Sequence, residues 1–177
     1  MIVDCFILAV GISVLGEAST IHIKAAVAAY DAAKAALDRK ESEAAIKQFR
    51  QTAQIEPTFT AAYEGLIRAY LGTGNRLEAG ATITQLLEIE PGLNRYRLLL
   101  AQILLEQRQP ERALAQFSIL LKSEPDNADA LLGFASAATD MGMEDRASEA
   151  LDQGRKRYPQ DRRFRIAGRV NKCPYKQ

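Results

Sequence analysis

The chain reads as all-α, a solenoid of paired helices, on three observations. Four prolines, Pro57, Pro91, Pro125 and Pro159, recur at one constant interval. Twelve residues before each proline lies an alanine (Ala45, Ala79, Ala113, Ala147), and eight before it a large apolar residue (Phe49, Ile83, Phe117, Leu151). Leu, Ala, Glu, Gln and Arg are abundant, Trp is absent and aromatics reach only 7%, a supply that favours helix over strand. A fixed period of about 20 to 50 residues marks an architecture in which each unit buries its apolar face only against its neighbours. At 177 residues, 47% hydrophobic and 25% charged, the chain is long and apolar enough to build a sizeable core.

With each proline closing a unit, the repeats span 26–59, 60–93, 94–127 and 128–161. Apolar residues follow helical spacing within each unit and are interrupted once, at Lys40-Glu41, Gly74-Asn75, Arg108-Gln109 and Gly142-Met143, so each unit is predicted to hold two helices of about fourteen residues. Pro110 falls in the first turn of a second helix, where a missing N–H costs nothing. The closing prolines act in the opposite sense. They disfavour helical geometry in the residue before them and so end the second helix, as in Glu90-Pro91. The alanine early in each second helix lets it seat closely on the first, and the bulky residue one turn later fills the gap between them.

Both ends of the chain depart from the repeat. Residues 1–18, MIVDCFILAVGISVLGEA, carry an apolar run from Cys5 to Leu15 followed by small residues at Gly16 and Ala18. That pattern matches the hydrophobic core and cleavage site of a secretory signal, although Asp4 stands where Lys or Arg is usual. The expected location is periplasmic or secreted, with the cytoplasm as the alternative. Left uncleaved, residues 1–18 are an apolar N-terminal helix packing on the domain or a point of membrane association. Residues 19–161 form the repeat domain, and 162–177 a basic capping helix and tail, with Arg162 to Val170 covering the last pair through Phe164, Ala167 and Val170. From Arg155 to Gln177 there are nine Lys or Arg and one acid, so that segment is +8 and the rest −7 against a net charge of +1. Two cysteines, Cys5 and Cys173, form neither a disulfide framework nor a zinc-ligand pattern.

The length of the unit, its turn glycines, its alanines and its prolines resemble the tetratricopeptide repeat family from Ala26 to Asp161. Unit two carries the pattern most fully, with Tyr63, Leu66, Tyr70, Gly74, Ala79, Ile83 and Pro91, and unit four follows with Leu131, Phe134, Gly142, Ala147, Leu151 and Pro159. The departures are Ala29, Ala32 and Ala36 in unit one, Ile67 at a normally small position, and Arg97 where a large apolar residue is usual. The resemblance implies a right-handed α-α superhelix of four helix-turn-helix repeats whose concave groove, lined by the first helices, binds a segment of a partner protein. Positions 2, 5, 6, 9, 12 and 13 of each unit would face that groove. From these the expected partner-binding residues are Tyr30, Lys34, Glu64, Arg68, Arg95, Leu98, Gln102, Leu132 and Ser136. Leu99 and Leu105 share those positions but suit burial between helices equally well. Gly65 and Gly133 fall at the same groove positions. Co-chaperones of this family grip a C-terminal carboxylate with Lys, Asn, Asn, Lys and Arg. The corresponding residues here are Tyr30, Lys34, Gly65, Arg95 and Leu99, or Glu64, Arg68, Leu99, Asp129 and Gly133, so at most one of the five matches.

The expected function is therefore a non-enzymatic adaptor or scaffold for a protein or peptide partner, assisting assembly of an envelope or secreted complex, with no cofactor, catalytic residue or metal site and no small-molecule substrate. Gly72-Thr73-Gly74-Asn75 lacks the preceding strand and following Gly-Lys of a phosphate loop. His22 is the only histidine and has no nucleophile or second ligand near it in sequence. Acids at Glu43, Glu111, Glu144 and Asp145 sit at helix starts, where the helix dipole favours them. The alternative is a charge-driven binder of an anionic partner, whether acidic protein, lipid or nucleic acid, through Arg155, Lys156, Arg157, Arg162, Arg163, Arg165 and Arg169. Nucleic acid is disfavoured because no aromatic residues interleave with the charges.

Overall fold

A computed structural model of the chain describes the backbone of residues 3–170 and the side chains of residues 21–167. The side chains of residues 1–18, those of Arg169 and Val170, and Cys173 lie outside the described residues. Two compact units form, residues 1–90 and 91–177. The first holds α1 (Val3–Asp38), α2 (Ser42–Ile55), α3 (Thr60–Gly72) and α4 (Arg76–Ile89). The second holds α5 (Asn94–Glu106), α6 (Pro110–Ser123), α7 (Ala128–Asp140), α8 (Glu144–Arg157) and α9 (Arg162–Val170). The described residues form helices joined by short turns, without strands, as the period requires.

Each sequence signal has a backbone counterpart. Glu56, Glu90, Glu124 and Tyr158, the residues before the four prolines, are the C-caps of their helices, with φ between −124° and −132°. Pro110 opens α6. At the turns inside the pairs, Lys40, Gly74, Arg108 and Gly142, which share one register position, take φ of 61°, 76°, 57° and 71°. The following amide reaches back across the turn each time: Glu41 N–H donates to the Ala36 carbonyl, Asn75 to Tyr70, Gln109 to Leu104 and Met143 to Ala138. This left-handed helix stop favours glycine, and two of the four sites lack it. Arg108→Gly is expected to stabilise the protein by about 1 kcal/mol, because arginine meets a Cβ penalty in this region that glycine does not. Thermal unfolding followed by circular dichroism checks this.

In the first unit α2 packs between α1 and α3, α4 packs on α3, and α1 also meets α3. The second unit repeats the scheme with α6 between α5 and α7, α8 on α7, and α9 against α8 and α7. Ala45, Ala79, Ala113 and Ala147 are fully buried, and so are Phe49, Ile83, Phe117 and Leu151 beside them. In unit one Ala29 and Ala36 are buried, but Ala32 is exposed. Its counterparts Leu66, Leu100 and Phe134 are buried.

Two phenylalanines are seated by glycines on the next repeat. A Cβ at Gly65 would collide with the Phe49 ring, and one at Gly133 with the Phe117 ring. Register alone points these glycines at the groove. Gly65 is in fact buried, and both give the preceding aromatic ring its space.

Polar groups tie the repeat ends together. Glu124 accepts from Asn94 Nδ2 at 2.8 Å and from Asn127 Nδ2 at 2.8 Å, and the bonds from Asn127 and Asn94 hold its carboxyl below the usual carboxylate range. Asn127 in turn caps α7 by accepting from the Ala130 amide at 2.9 Å. The short helix α9 is anchored by Phe164, fully buried over Gly154 with its ring stacked 6.1 Å from that of Tyr158. Arg163 adds a bridge to Asp129 at 2.6 Å.

Candidate partner-binding faces

The nine expected binding residues all lie on the first helices of their pairs, and all are exposed or half-buried. They share that placement because positions 2, 5 and 9 of a unit turn away from the second helix, toward which positions 4, 8 and 11 point. The two units present different chemistry on this face.

In the first unit Tyr30 and Glu64 share one register position, and Lys34 and Arg68 another. Tyr30 is half-buried, its ring edge-on to Phe59 at 5.2 Å and tilted against Phe49 at 5.8 Å. Part of its area therefore serves the core. The Lys34 ammonium lies 5.8 Å from the Tyr30 ring centroid. Arg68 is exposed and Glu64 half-buried, so the face is charged around one aromatic platform.

The second unit is apolar at its centre. Leu98 and Leu132 occupy the same register on α5 and α7 and are half-buried, with Gln102 and Ser136 exposed one turn on. Leu99 and Leu105 are half-buried as well. Arg95 stacks over the Tyr96 ring at 4.6 Å. A hollow of about 230 Å³ opens beside Leu132 and Ser136, lined also by Ala135, Thr139, Asp140, Leu151 and Ala167. Sequence reasoning missed Ile166 on α9, which is 61% exposed and continues the register of Leu98 and Leu132. The even spacing of 98, 132 and 166 was the signal.

The basic segment is partly neutralised by Asp161 and by acids that precede it in the chain. Arg155 pairs with Asp152 at 2.5 Å and Arg157 with Asp126 at 3.0 Å, while Arg163 holds Asp161 at 2.8 Å as well as Asp129. The hydrogen bonds that Arg163 donates hold the Asp161 carboxyl below the usual carboxylate range, and its own guanidinium is raised by donating to Asp161 and Asp129. Arg165 is exposed, although it stands at the register where α3, α5 and α7 bury Tyr63, Arg97 and Leu131. His22 is exposed, and Gly74 lies in the turn between α3 and α4. Among the described residues no helix is long and apolar enough to cross a membrane.

Comparison with solved structures places the architecture. MamA, at 14% identity, superposes with a TM-score of 0.71 over 81% of this chain and 79% of its own. MamA from Desulfovibrio magneticus, residues 41 to the end, does so at 18% identity and 0.69 over 83% and 84%. A tetratricopeptide repeat protein from Parabacteroides merdae gives 17% and 0.72 over 83% of this chain and 59% of that one. No curated protein is matched by the sequence. The family model for the tetratricopeptide repeat matches residues 29–103 and 104–167, which is most of the chain. With paired helices, left-handed turns and proline stops recurring in step with that match, the chain belongs to the tetratricopeptide repeat family.

Proposed function

We propose that the first-helix faces hold a peptide or helical segment of a partner protein, and that the chain thereby assists assembly of an envelope or secreted complex. The fold is that of a protein-interaction scaffold. The observation that carries the finer reading is the open apolar strip of the second unit. Leu98 and Leu132 remain half-buried at one register, and Leu132 borders a hollow.

A photo-crosslinking residue placed at Gln102 or Ser136 is expected to yield a discrete adduct with another protein, whereas one at the exposed Arg112 on α6 yields none. Leu98→Ser with Leu132→Ser should lower that adduct about tenfold or more with helicity unchanged. Equal adducts from Arg112, or adducts that survive the double substitution, would rule the strip out. Export is supported by the apolar segment at residues 1–18. Intact mass of natively expressed protein is expected to show that segment removed, and a full-length mass would return the chain to the cytoplasm or to a membrane-tethered form.

A further inference from the structure

A second recess lies on the other side of the first unit. It holds about 330 Å³ between α2 and α4, with α3 as its floor. Tyr63, Leu66 and Tyr70 form that floor, on the side of α3 opposite Glu64 and Arg68, so this recess is separate from the partner-binding face. Arg50 stands at its edge. Its Nε donates to the Tyr70 hydroxyl at 2.8 Å, and its guanidinium lies 5.7 Å from the centre of the same ring. The side chain is thereby held in place although 57% exposed. Its Nη2 approaches Glu78 Oε2 only to 4.0 Å, too far for a hydrogen bond.

We propose that this recess is a receptor for a peptide carboxylate, with Arg50 as the recognising group. A guanidinium has five N–H donors, and with Nε committed to Tyr70 the edge formed by the two Nη groups stays open in the geometry that a carboxylate fills with two parallel bonds. Tyr70 accepts from Arg50, so its own hydroxyl hydrogen is left to donate to the same guest. Leu66 and the two tyrosine rings supply an apolar bed for the chain that carries the acid, and Gln85 offers an amide at the rim. The repeat framework does not require this set. At the same register in the second unit, Arg50, Tyr70 and Glu78 are replaced by Ser118, Ala138 and Arg146. Glu78 is a weak competitor, close enough to orient the guanidinium and too distant to saturate it.

The test uses the Arg50 Nε–H resonance of the ¹⁵N-labelled full chain, titrated with three probes. These are an acetylated alanine-leucine tetrapeptide with a free C-terminal carboxylate, the same peptide as its C-terminal amide, and the amide carrying one internal glutamate. A saturable shift with the first probe, the third or both, and none with the neutral amide, is expected, and the probe that acts tells a chain-terminal from a side-chain acid. Arg50→Lys should weaken binding about tenfold by losing the fork. Because both Arg50 variants remove the reporter resonance, tyrosine ring shifts and calorimetry follow them, and Arg50→Gln should show no binding. Glu78→Gln should strengthen binding by removing the competing carboxylate. A response to the neutral amide equal to that of the acids, binding that persists in Arg50→Gln, or no saturable shift with any probe overturns the proposal. Circular dichroism of each variant confirms that helicity is retained.

Discussion

Phe117→Ala is expected to destabilise the protein by about 3–5 kcal/mol, the usual cost of emptying a fully buried phenylalanine site. The consequence at Gly133 is sharper. In the native chain Gly133→Ala should cost about 1–3 kcal/mol, since its methyl would enter the Phe117 ring, which is buried on every side and has nowhere to retreat. In the Phe117→Ala background the same substitution should change sign and stabilise by up to about 1 kcal/mol, because alanine outranks glycine in a helix and its methyl fills part of the vacated space. Denaturant unfolding of the four proteins, followed by circular dichroism, closes a double-mutant cycle whose coupling reports the fit of ring to glycine. Costs that simply add would show that ring and glycine do not share one space. Phe49 and Gly65 form the same arrangement in the first unit and should behave alike.

Arg97→Tyr is expected to stabilise the protein by about 1–3 kcal/mol, since a buried charge without a carboxylate is costly. Arg97 is 9% exposed, and its Nε is buried with no acceptor. Nη2 donates to the Pro91 carbonyl at 2.5 Å and Nη1 to Gln116 Oε1 at 3.0 Å. At the same register one repeat earlier, Tyr63 donates its hydroxyl to the Pro57 carbonyl at 3.0 Å. Tyrosine at 97 would keep the bond to the proline carbonyl, remove the charge and leave no nitrogen orphaned. A raised midpoint of thermal unfolding supports this account. A lowered one would mean that the arginine's two hydrogen bonds outweigh its desolvation.

The prolines that close the second helices, the turn positions and the buried alanines were legible from spacing, and the choice of the nine expected binding residues on first helices came from the resemblance to the repeat family. Each depends on backbone geometry that recurs with the period. A proline disfavours helical geometry in the residue before it, and a two-residue turn brings the same alanine into contact in each unit. The turns at Lys40 and Arg108 were legible in position, but their left-handed conformation was not, because neither residue is the glycine such a turn prefers.

What the linear order left open was how neighbouring repeats divide space. Residues at one register look equivalent in sequence, yet Gly65 and Gly133 are holes for aromatic rings, Tyr30 spends part of its area on Phe49 and Phe59, and Ala32 is exposed where Leu66, Leu100 and Phe134 are buried. Arg50 and Tyr70, on different helices, converge on a recess that no periodicity announces. Local spacing decides which way a side chain leaves its helix. Only packing between helices decides what it meets there, because that depends on the volume of residues a full repeat away.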